Sequence, residues 1–156
     1  FPIDPHRVHI LNDGDKFDMG DRTVTAIRPP LYDSSATCGI WDPKSEIYYA
    51  ADCFGIVAED VPNFTDEISE KDYEEQFFFM NRANHIWFEH VKSEAIAEAA
   101  EKIKKLDAKY LVSGHGPTAR KNVDRLCDMI KRIGDMPPIE LPDHDTYEML
   151  VKEAGL

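Results

Sequence analysis

Ile47-Tyr48-Tyr49-Ala50-Ala51-Asp52-Cys53-Phe54-Gly55 is the stretch around which this chain is organised. Its first five residues carry no charge and mix β-branched, aromatic and small side chains, the composition of a buried strand. The run stops at Asp52, and Gly55 follows three residues later. A carboxylate at the end of a buried strand, just before a glycine turn, is poorly placed for packing and well placed for a ligand. A second stretch repeats the design. Lys109 to Val112 is apolar after its lysine, and Ser113-Gly114-His115-Gly116-Pro117 follows. The two strands predict that Asp52 and His115 meet.

Working outward, Ala36–Trp41 reads as a strand and Asp42-Pro43-Lys44-Ser45 as a turn, so this strand and the Ile47 stretch form a hairpin. Upstream, Arg7–Leu11, Lys16–Met19 and Thr23–Ile27 read as a meander. Asn12–Asp15 and Gly20-Asp21 supply its turns, and Pro29-Pro30 ends it. After Gly55 the character changes. Ala58–Ser69 is an acidic loop; Glu70–His90 is a helix dense in aromatics. Glu94–Leu106 is a helix capped by Ser93, with Ile96, Ala99, Ala100, Ile103 and Leu106 on one face. The Lys109–Val112 strand precedes an amphipathic helix over Asn122–Ile133, stopped by Gly134, and a last helix over Thr146–Ala154. Strands come first, then helix, helix, strand, helix: an α+β or layered arrangement in a single domain over 1–156, β-rich at 7–57 and helical with one strand at 66–156.

A chain of 156 residues, 42% hydrophobic, supports one domain with a real core. A net charge of −12 argues against a nucleic-acid partner, because phosphates are repelled. Its plainer meaning is solubility. Cys38, Cys53 and Cys127 form no C-x-x-C pair and leave one thiol over from any disulfide scheme, which fits a reducing cytoplasm. No run reaches transmembrane length, and Phe1–Pro5 lacks the basic and apolar regions of a signal sequence. The absence of an initiator methionine makes the chain readable as a fragment or a processed product.

Alone, Asp52 reads as a turn aspartate bonding the Cys53–Gly55 backbone. With His115 beside it, its two oxygens suit a carboxylate that bridges two cations. His115, framed by glycines at the end of a buried strand, reads as a metal ligand. Between them lies Pro30-Leu31-Tyr32-Asp33-Ser34-Ser35, a loop after a strand of the same orientation. Tyr32 is open to three roles there: phenolate ligand, hydrogen-bond donor or packed aromatic. Asp33 reads as a turn residue. His6, His9, His85, His90 and His144 are assigned structural or solvated roles, and Cys53, beside Asp52 but pointing the other way, a buried thiol. The chain has no H-x-x-x-H helix, no glycine-rich phosphate loop and no G-x-S-x-G elbow.

The series Gly14-Asp15…Met19-Gly20, Pro29–Ser34, Ala51–Gly55 and Ser113–Pro117 resembles the metallo-β-lactamase fold, and more narrowly the diiron domain of flavodiiron proteins. In that family a Pro-x-Leu-His-x-Pro-Asp-Ser loop, an Asp-Ala-Phe-Gly turn and a Ser-His-Gly-Pro loop supply ligands. The resemblance covers about Val8 to Arg120. It implies an αββα sandwich of which this chain is the C-terminal half. It implies a bridging Asp52, a terminal His115 and two iron ions in the complete site, with zinc as the alternative. The implied activity is O₂ or NO reduction, or O₂ binding and sensing, as a metal-dependent oxidoreductase. A zinc-dependent hydrolase and a module of this fold that has lost its site are the other readings. Two departures stand out. The family's loop histidine is Tyr32 here, and the upstream His-x-Glu/His-x-Asp-His cluster is not in this sequence. The partners implied are therefore the N-terminal half of the domain or a second chain, a redox protein, and a small ligand such as O₂ or NO. A homodimer stays open, and neither membrane nor nucleic acid is expected.

Overall fold

The strands form one sheet whose order follows the sequence, a consequence of short turns between antiparallel neighbours. In the computed structural model, which describes residues 3–58 and 62–155, β1 (Lys16–Asp18), β2 (Thr23–Ala26), β3 (Ile40–Asp42) and β4 (Ile47–Tyr49) pair antiparallel in succession. β5 (Tyr110–Val112) then joins β4 in parallel. A parallel neighbour needs a long crossover. Here α1 (Glu70–Asn84) and α2 (Ser93–Lys104) make it. After β5 come α3 (Val123–Ile133) and α4 (His144–Glu153). The outer edge of β5 is closed by Ala119, which exchanges two backbone hydrogen bonds of 2.9 Å with Leu111.

Pleat parity divides the sheet. Tyr48 and Leu111 share one face with Trp41 and pack into the main core with Ile27, Leu31, Phe77, Phe88, Ile96, Ile103, Leu126 and Ile130. The buried faces of α1, α2 and α3 pack into that core. The opposite face carries Phe17, Val24, Ala26, Ile40, Ile47, Tyr49, Tyr110 and Val112. Tyr49 and Tyr110 on it are 41% and 38% exposed. The Ile47–Ala51 run is thus not buried throughout, as its uncharged sequence suggested. Tyr48 and Ala50 are enclosed in the core with residues of α1, α2 and α3, while Tyr49, on the opposite face, meets solvent.

Other expectations shift for local reasons. Arg7–Leu11 forms no strand. Pro5–Arg7 is instead a 3₁₀ turn, its His6 amide bonded to Asp4 Oδ1 at 2.9 Å, and nothing pairs with the segment that follows. The Ala36–Trp41 strand is regular only from Ile40. Ser93 opens α2 as a helical residue and does not cap it. The helix expected over Glu70–His90 ends at Asn84; His85 breaks it with φ −124 and ψ 54, and Ile86–His90 continues as 3₁₀. Gly134 follows α3 in right-handed conformation, so its contribution is room: a Cβ there would stand 2.7 Å from Ser93 Cβ. α4 buries no residue. Of the acidic Ala58–Ser69 loop, residues 59–61 lie outside the described residues. No helix among the described residues is long and apolar enough to cross a membrane.

Candidate metal centre

Because β4 and β5 run parallel side by side, the loops that leave their C-terminal ends emerge at the same edge of the sheet. That edge is where open sheets with parallel strands gather ligands. The structure brings Asp52 and His115 together there: Asp52 Oδ1 stands 3.2 Å from His115 Nε2. Both side chains keep access to solvent, 34% and 49% exposed respectively.

Interlocked backbones hold the pair. Gly114 N–H donates to Ala51 C=O at 2.6 Å, and Ile56 N–H to His115 C=O at 3.2 Å. The Ser113 hydroxyl donates to Ala51 C=O at 3.3 Å and accepts from His115 N–H at 3.2 Å. Ala51 and Phe54 both adopt positive φ, 50 and 67, a strained pair within one turn. Glycine matters here less for freedom of the imidazole than for closeness. A Cβ on Gly55 would stand 2.9 Å from His115 Cβ, and one on Gly114 3.1 Å from Asp52 Oδ1. The loops touch because neither glycine carries a side chain.

A polar residue from the helical layer fixes this turn, and the sequence reading passed over it. Asn81, fully buried, accepts from Phe54 N–H at 2.8 Å and donates to Gly55 C=O at 3.0 Å and Phe77 C=O at 2.9 Å. His85 follows it by four residues and is also fully buried. Its Nδ1 lies 2.9 Å from Asn81 C=O, while its Nε2 has no hydrogen-bond partner. The available signal was spacing. Phe77, Asn81 and His85 recur every four residues, so two polar side chains continue a fully buried helix face.

Tyr32 is placed differently. β2 points the same way as β4, so its loop reaches the same edge of the sheet. The ring, however, packs tilted against Trp87 with centroids 5.1 Å apart, and the Arg28 guanidinium lies 5.1 Å from its centroid. Trp87 Nε1–H donates to Tyr32 C=O at 2.5 Å. Of its three open roles, packing is the one with contacts behind it. Asp33 is a turn residue, its Oδ1 accepting from the Thr37 hydroxyl at 2.7 Å. Cys53 and Cys127 are buried free thiols; burial raises both, Cys127 to about 12, which makes it inert at neutral pH.

The donor chemistry suits a metal ion: a carboxylate and an imidazole stand side by side. In number it is incomplete. Among the described residues no three His, Cys, Asp or Glu side chains stand closely enough to hold an ion on their own. The residues fit as part of a donor set.

No protein-family model matches the chain, and no curated protein does. Solved structures do. The flavodiiron protein from Giardia intestinalis is 21% identical with a TM-score of 0.67, over 81% of this chain and 30% of its own. The rubredoxin oxygen:oxidoreductase from the anaerobe Desulfovibrio gigas is 16% identical, TM-score 0.67, over 89% of this chain and 34% of its own. The apo chemotaxis sensor ODP from T. denticola is 14% identical, TM-score 0.63, over 92% of this chain and 55% of its own. The chain therefore spans about a third of the flavodiiron-type proteins and about half of the sensor. Its sheet, its crossover and its paired loops are the metallo-β-lactamase-like fold of diiron domains.

Proposed function

We propose that this chain is one half of a dimetal domain that binds O₂ or NO, contributing Asp52 as a bridging carboxylate and His115 as a terminal ligand. The observation that carries the reading is the 3.2 Å approach of these side chains at the C-terminal ends of two adjacent parallel strands, in a fold shared with flavodiiron proteins and a diiron sensor. Two iron ions, when bound, would supply reversible electron transfer and open positions for a diatomic ligand. This chain's residues hold position: Asn81 and the interlocked loops fix the turn that carries Asp52, and Gly114 gives its carboxylate clearance. The remaining donors come from the complementary half of the domain or a second chain. The uncovered sheet face bearing Ile47, Tyr49, Tyr110 and Val112 is an apolar surface against which such a half could pack. A redox protein would then feed electrons to the completed site.

Anaerobic loading with Fe(II) tests this, read as bound iron after desalting and as an absorbance change on adding O₂ or NO. With the complementary half supplied, the wild-type site retains iron, and the Asp52→Ala, His115→Ala double variant does not. A completed wild-type site that stays metal-free after loading sinks the proposal, and selective retention of zinc moves it to the hydrolytic relatives of the fold.

A further inference from the structure

Arg28 stands apart in a chain whose acidic side chains outnumber its basic ones, 30 to 18. Its guanidinium carries a planar fork of N–H donors. One Nη2 hydrogen goes to the Ser35 carbonyl oxygen at 3.1 Å, and the Tyr32 ring centroid lies 5.1 Å from Cζ. Among the described residues no carboxylate pairs with it. Asp13 is occupied elsewhere: its Oδ1 accepts the Arg28 backbone N–H at 2.8 Å, and its Oδ2 accepts from Lys102 Nζ at 2.5 Å.

On open surface such a cation would be ordinary. Arg28 instead lines a cleft of about 290 Å³ between the Tyr32 loop and α2. Tyr32 and Trp87 give the cleft aromatic surface, their rings 48° apart in plane and 5.1 Å apart at the centroids. The indole N–H is already used, since Trp87 Nε1–H donates to Tyr32 C=O at 2.5 Å, so Trp87 offers the cleft carbon surface. Ala95 and Ala99, one turn apart on α2, are small enough to leave the space open. The charged residues of the lining are Asp13, Arg28 and Lys102; Asp13 and Lys102 form an ion pair, and one positive charge remains. Neither Asp52 nor His115 is among the lining residues.

These properties select an occupant by size, surface and charge. The volume lies at the small end of ligand sites, room for roughly one or two rings. Aromatic walls favour a planar apolar body, and a guanidinium fork favours a carboxylate, which it can hold by two parallel N–H bonds. We propose that this cleft binds a small aromatic carboxylate, its ring against Tyr32 and Trp87 and its carboxylate on Arg28. The site goes beyond the dimetal reading and does not depend on it, because the two share no side chain.

The test titrates the full chain with benzoate, benzyl alcohol and inorganic phosphate, followed by the Trp87 indole N–H signal in proton–nitrogen NMR spectra. Benzoate is expected to shift that signal saturably, with a Kd below about 1 mM. Benzyl alcohol keeps the ring and phosphate keeps the charge, and each is expected to bind at least about tenfold more weakly. Arg28→Gln removes the cation and Ala99→Leu fills the cleft; each is expected to weaken benzoate about tenfold or more. Equal affinity of the wild type for benzoate and benzyl alcohol overturns recognition of the charge, and equal affinity for benzoate and phosphate overturns recognition of the ring. Both comparisons use the unaltered chain, so they decide the matter even where a variant fails to fold. Absence of saturation with benzoate overturns the proposal outright. So does wild-type benzoate affinity in Arg28→Gln and Ala99→Leu chains that unfold at the wild-type temperature.

Discussion

Two loops at the same edge of the sheet are built in opposite ways. The Asp52–Gly55 turn locks onto the Gly114–Pro117 loop through backbone hydrogen bonds and two glycines while Cys53 and Phe54 anchor it in the core, so the Asp52 and His115 side chains stay free of packing duties. The Tyr32 loop is held by its side chains: the tyrosine ring packs against Arg28 and Trp87, and the backbone carbonyl takes the indole hydrogen bond. A loop secured by its backbone can offer a carboxylate and an imidazole to a ligand. A loop secured by a ring has used that ring. The contrast explains why Asp52 and His115 stay accessible to a ligand while the Tyr32 ring is held in packing.

The largest effect is expected where the backbones touch. Gly55→Val forces a branched side chain against His115 Cβ and carbonyl oxygen, which already stand 2.9 and 3.0 Å from an added Cβ. Overpacking against backbone should cost about 3 kcal/mol in chemical unfolding. It should also part the two loops. Unchanged stability would mean that they separate without penalty and that their interlock does not organise the edge. Next comes the clamp. Asn81→Ala leaves Phe54 N–H and Gly55 C=O without their buried partner, at about 2 kcal/mol. Hydrogen exchange at the Phe54 amide should quicken far more than at Leu111, which the Ala119 ladder still protects. Equal acceleration at both amides would show global loosening and no local role for Asn81.

The contrast between loops also marks how much the sequence made legible. The β2–β4 run and the meeting of Asp52 with His115 follow from strand composition, turn residues and the rule that parallel neighbours end at one edge. What stayed hidden depends on layers. Tyr48 and Tyr49 are identical in type, so nothing in their chemistry tells which faces the helices; only the packing of the core decides it. The strand expected over Arg7–Leu11 had the right residues, but a strand without a neighbour has no ladder to stabilise it. By sequence His85 reads as one of five histidines with structural or solvated roles. Its four-residue spacing from Asn81 and Phe77 was visible, yet the orphaned Nε2 is a property of the packed core alone.

The smallest effect is expected at Tyr32, and it is informative for that reason. Tyr32→Phe keeps the ring, its packing against Trp87 and the Arg28 contact, and removes only the phenolic oxygen. If packing is the whole of its role, stability should stay within about 0.5 kcal/mol of wild type, and Zn(II) or Fe(II) affinity should not change. A tenfold loss of metal affinity at unchanged stability would restore the phenolate-ligand role. It would require the ring to leave Trp87 when the ion binds, a movement that quenching of the Trp87 fluorescence would report in the wild type. Because the variant alters one atom of a loop whose backbone is held by the Trp87 indole, a null result cannot come from local unfolding. It would assign the aromatic at position 32 to holding the loop, and leave the proposed metal roles at this edge to Asp52 and His115.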